Sequence, residues 1–61
     1  MTDSEIVNNA YAENVKLLYV TFYNALIIAQ DQNAKQQAEQ RFTQGITLAR
    51  QIRDRAIAII P

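Results

Sequence analysis

The sequence predicts an all-α fold: an antiparallel two-helix hairpin that assembles into a four-helix bundle or a larger helical oligomer. Three observations predict it. Apolar residues recur at alternating spacings of four and three along two stretches of chain, the pattern of a seam on one side of a helix. The two stretches are out of phase with each other, so they are two helices and not one. The first carries more apolar surface than a single partner helix can cover.

The first helix is expected over about residues 3–30. Thr2 with Glu5 three residues later fits a capping box, in which each side chain satisfies a free backbone amide of the other. From there no proline or glycine interrupts the chain. Tyr11, Val15, Leu18, Phe22, Ala25 and Ala29 form its seam. Around them lies the chain's most apolar stretch, Leu17 to Ala29, interrupted only by Thr21 and Asn24. At thirteen residues it falls well short of the ~20 that a bilayer-spanning helix needs.

A link is expected at about residues 31–33. Extending the first seam past Ala29 meets only polar residues: Gln32, Gln36, Glu39 or Gln40, and Thr43. Asn33 is a candidate cap for the second helix, and asparagine also tolerates the left-handed backbone that a tight link can require.

The second helix is expected over about residues 34–60, with a seam at Ala38, Phe42, Gly45, Ala49, Ile52, Ala56 and Ile59. Its outer face is polar: Gln40, Gln44, Thr47, Gln51 and Asp54. Folding the chain with Ala29 opposite Ala38 pairs Ala25 with Phe42, Phe22 with Gly45, Leu18 with Ala49, Val15 with Ile52, Tyr11 with Ala56 and Asn8 with Ile59. Three of the middle layers then set a large residue against alanine or glycine, as close packing favours, and Gly45 makes room for Phe22. The same register brings Glu13 near Arg50 or Arg53. The apolar end of the chain, AIAIIP, is expected to be docked.

Residues 1–61 are thus one domain, and a small one, of a length that buries only about 60% of its surface. With no cysteine, no disulfide can brace it. What remains is tidy helix packing or oligomerisation. Outside the first seam lie Leu17, Tyr19, Val20, Tyr23, Leu26, Ile27 and Ile28, spread round nearly the whole helix; these are the expected interface residues. Ile46, Leu48, Ile57 and Ile60 are expected to help cover it. The partner is a second copy (homodimer or higher), another protein, or both.

No catalytic, cofactor-binding or metal-binding residues are expected, and no cofactor. Histidine is absent, and Ser4, the only serine, has no base beside it. A single glycine cannot build a phosphate loop. Six basic and six acidic residues cancel, so no overall field recruits nucleic acid. The cancellation hides an ordering: residues 1–31 hold Asp3, Glu5, Glu13 and Asp31 against Lys16 alone, a balance of −3, and residues 32–61 a balance of +3. Within the basic half Arg50, Arg53 and Arg55 are the candidate anion contacts, which sets up a rival reading: a small helical-bundle regulator that binds nucleic acid. No aromatic or glycine-rich element accompanies them to read bases. The acidic start, MTDSE, lacks the basic region of a signal peptide, and a cytoplasmic location is expected. The function these observations point to is a non-catalytic protein–protein interaction or oligomerisation module.

Overall fold

The computed structural model describes residues 1–61 as two helices, α1 (Asp3–Ile28) and α2 (Gln32–Ile59), folded back on each other. There are no strands. The Cα trace measures 48 × 17 × 6 Å, close to half the ~90 Å that 61 residues would span as one continuous helix at ~1.5 Å per residue.

The start of α1 keeps half of the expected capping box: Thr2 caps the Glu5 amide, while the Glu5 carboxylate meets the Thr2 hydroxyl and not its backbone amide. Thr2 is the N-cap; its Oγ1 accepts from the Glu5 amide at 3.2 Å and donates to Glu5 Oε1 at 3.2 Å. Asp3 and Glu5 place negative charge on the first turn, where the helix dipole favours it.

The link lies at Ala29 to Asp31, two residues earlier than the polar pattern placed it. The N-cap of α2 is Asp31, not Asn33: Asp31 Oδ1 accepts from the Ala34 amide at 2.8 Å. Both side-chain types cap about equally well, but the aspartate also carries a charge that the positive end of α2 stabilises. Capping there also brings Ala34 into the first turn of α2, where it is half-buried and extends the seam backwards. No residue adopts positive φ, so the link uses no left-handed conformation.

Moving the link by two residues slips the two seams past each other by about one helical turn. Gly45 faces Leu18, not Phe22. Phe22 instead stacks on Phe42, ring centroids 4.8 Å apart and planes 26° from parallel. Tyr11 meets Arg53 in place of Ala56, the guanidinium lying 4.5 Å from the ring centroid. Two phenylalanines fit at one level because Ala25 and Ala38 surround them.

The α1 seam is otherwise as expected, with Tyr11, Val15, Leu18, Phe22, Ala25 and Ala29 all half-buried. On α2, Ala38, Phe42, Gly45, Ala49 and Ala56 hold their places. Ile52 and Ile59 do not: they are 56% and 83% exposed, while the neighbouring Arg53 and Ile60 are half-buried. Asn8 is exposed as well, so the last expected layer does not form, and the apolar end of the chain is docked through Ala56 and Ile60 alone. Arg53 can take a seam position because its alkyl stem lies along apolar surface while its head stacks on Tyr11 and bonds Asp54 (Nη2 to Oδ1 2.9 Å). Glu13 pairs with Lys16 at 3.2 Å, one turn along its own helix, and not with Arg50 or Arg53.

Candidate interaction surface

The hairpin is a single layer, and its core is thin. Ala38, 6% exposed, is the one residue the fold buries fully. The accessible surface is 4951 Å², against ~4,000 Å² for a compact monomer of 7.0 kDa on the usual scaling of surface with mass. The excess of ~900 Å² is close to the ~800 Å² that each partner buries in a protein interface of standard size.

The larger share of the exposed large apolar side chains sits on α1. Leu17 and Ile28 are 66% and 76% exposed, and Tyr19, Val20, Tyr23 and Ile27 are each more than half exposed. Leu26 differs: it is half-buried at the hairpin's edge, level with Phe22 and Ala25, and contributes less open surface. The helical repeat explains the distribution. Val20, Tyr23 and Ile27, spaced three and four apart, form a stripe opposite the seam, with Lys16 one turn before it. Tyr19 and Tyr23 stand one turn apart at its edge, ring centroids 6.3 Å apart and stacked. Their hydroxyls point a polar handle at solvent from an apolar body, the chemistry of an interface rim.

A second apolar region adjoins α1 on one face of the hairpin. Leu17, Leu18, Leu48, Ala49 and Ile52 line a shallow open groove floored by Gly45. Of the α2 residues expected to cover the surplus, Ile46 and Ile60 are half-buried within the hairpin, whereas Leu48 and Ile57 remain exposed. The far side of α2 is polar, with Gln36, Glu39, Gln40, Thr43 and Gln44 together. Thr43 and Thr47 there donate to carbonyls one turn back, at 2.9 Å each.

The arginines do not form one patch. Arg50 and Arg55, five positions apart, point ~140° away from each other round α2. Arg53, between them, is turned into the seam and engaged by Tyr11 and Asp54. Arg55 lies beside Ile52, Ala56 and Ile59, and Arg41 beside Thr21 and Phe22.

No three carboxylates approach closely enough to hold a metal ion, and no buried side-chain polar atom lacks a partner. No helix is long and apolar enough to cross a membrane. Comparison with protein-family models, with curated proteins and with solved structures returns no match to this chain.

Proposed function

We propose that this protein is a non-catalytic interaction module, a helical hairpin that works by burying the open surface of α1 against protein. The observation that carries the reading is the row of exposed apolar side chains on α1, in a chain that exposes ~900 Å² more than a compact one of its mass. A soluble hairpin that left this surface in water would be marginal. Covering it adds stability and gives binding in the same step.

The rival, a nucleic-acid-binding regulator, needs several cations presented together. The divergence of Arg50 and Arg55, and the engagement of Arg53 within the hairpin, favour the protein reading. Two measurements test it. Affinity capture from the native host, wild type against Ile27→Glu, should recover proteins (this chain included) with the wild type that the variant loses; identical recoveries overturn the reading. Titration of labelled RNA and DNA should give only weak binding that vanishes with added salt, since each phosphate contact contributes roughly 0.7–0.9 to the log–log salt slope. Submicromolar binding at physiological salt, abolished by Arg50→Gln/Arg53→Gln/Arg55→Gln, promotes the rival.

A further inference from the structure

We infer that the occupant of the α1 surface is α1 of a second copy, packed antiparallel about a two-fold axis close to Tyr23 and Asn24. The inference rests on the interaction reading and names its partner.

Area comes first. The surplus of ~900 Å² matches one side of a standard interface, so a single partner of similar size suffices. Within this chain the stripe can meet itself or the open groove floored by Gly45; the far side of α2 is polar, and stripe against groove is a head-to-tail contact that does not close on itself. A patch that pairs with itself does so across a two-fold axis.

Charge then sets the direction. A parallel pair would place Lys16 beside its own copy and Glu13 beside its own copy, with the two helix dipoles aligned. An antiparallel pair centred between Tyr23 and Asn24 sets Val20 against the second copy's Ile27 and Tyr19 against its Ile28. The apolar middle of the stripe is then covered, the like charges of Glu13 and Lys16 are kept apart, and the dipoles are opposed.

Asn24 finds a place in this arrangement. It is an exposed amide inside the most apolar stretch of the chain, and it makes no side-chain hydrogen bond within the hairpin. At the axis it meets its own copy, and an amide can both donate to and accept from another amide. A polar pair at one position of an apolar seam selects register and orientation, as it does in coiled coils.

The absence of cysteine lets introduced thiols read the geometry directly. Sedimentation equilibrium of the wild type at micromolar concentration should give twice the 7.0 kDa of one chain. Under mild oxidation Asn24→Cys should form a disulfide-linked dimer about tenfold or more faster than Gln40→Cys on the polar face, because a disulfide tolerates Cα atoms no more than ~7 Å apart. Mixed Val20→Cys and Ile27→Cys chains should cross-link to each other in preference to themselves. Preferred Val20–Val20 linkage overturns the antiparallel pairing, and equal rates at positions 24 and 40 overturn the site. Circular dichroism on each variant separates unfolding from loss of contact. A folded, helical wild-type monomer overturns the second copy outright. If that monomer binds a different protein through the same residues, the interaction reading survives; if it binds nucleic acid tightly, both fall.

Discussion

Leu18 and Gly45 meet across the hairpin where position 45 has no room for a side chain: a Cβ built there would lie 2.6 Å from Leu18 Cδ2. Glycine costs ~1 kcal/mol relative to alanine in a helix interior, so it stands at this position for space and not for backbone freedom. The conflicting atom is the end of a flexible side chain beside an open groove, and Leu18 can yield at the cost of a strained rotamer, ~0.5–1.5 kcal/mol. Gly45→Ala alone should therefore change stability little. In a Leu18→Ala background the clash is gone, and the same substitution should stabilise by ~1 kcal/mol. Urea denaturation of the four proteins measures the coupling; strict additivity would remove the packing role given to Gly45.

Phe22 and Phe42 stack across the hairpin between α1 and α2. Full burial of a phenylalanine makes its truncation cost ~3–5 kcal/mol; both rings are half-buried here, so Phe22→Ala should cost ~2–3 kcal/mol. That is a large part of the ~3–9 kcal/mol expected for a domain of this length. A double-mutant cycle with Phe42→Ala should show ~0.5–1.5 kcal/mol of coupling from the stacked pair. Phe22 coupled to Gly45 and not to Phe42 would restore the register read from volumes alone.

Asp31 and Asn33 compete as the cap of α2, and the hydrogen bond to the Ala34 amide selects Asp31. Asp31→Ala should lower stability by ~1 kcal/mol, and Asn33→Ala should be neutral or slightly stabilising. Thermal unfolding by circular dichroism distinguishes them. The reverse ranking would move the link to the later position.

Arg53 over Tyr11 ties the open end of the hairpin together. Tyr11→Leu, which keeps the bulk and removes most of the ring's attraction for a cation, should cost ~0.5–1 kcal/mol. In an Arg53→Met background the same change should cost distinctly less. Equal effects in the two backgrounds would mean that Arg53 only packs its stem there.

The hairpin also sets the size of anything it builds. Small-angle scattering should give a largest dimension near the 48 Å of the Cα trace plus side chains for one hairpin, and ~70 Å for two paired about Tyr23 and Asn24, because that axis lies ~12 Å from the middle of α1 and staggers the copies by twice that. A profile extending to ~90 Å would indicate an opened, continuous helix.

What the sequence determined by itself is what short-range periodicity controls. The two helices, the Thr2 cap on the Glu5 amide, the six seam positions of α1 and the polar outer face of α2 all follow from contacts within a turn or two. Their residue types leave one consistent answer. The exposed residues of the candidate surface were legible for the same reason, because an apolar residue off the seam of a two-helix layer has nothing to pack against; Leu26 escaped because it sits at the seam's edge.

Tertiary structure alone decided the register. A pattern of fours and threes looks the same after a slip of one turn, so it cannot say whether Gly45 receives Phe22 or Leu18. That choice passed to the link, where Asp31 and Asn33 have nearly equal capping strength and a small electrostatic difference moves every layer by a turn. The exchange of Ile52 for Arg53 in the seam was equally hidden. An apolar pattern scores the arginine by its charge, whereas the folded hairpin uses its stem for packing and meets its guanidinium with the face of Tyr11 and the carboxylate of Asp54.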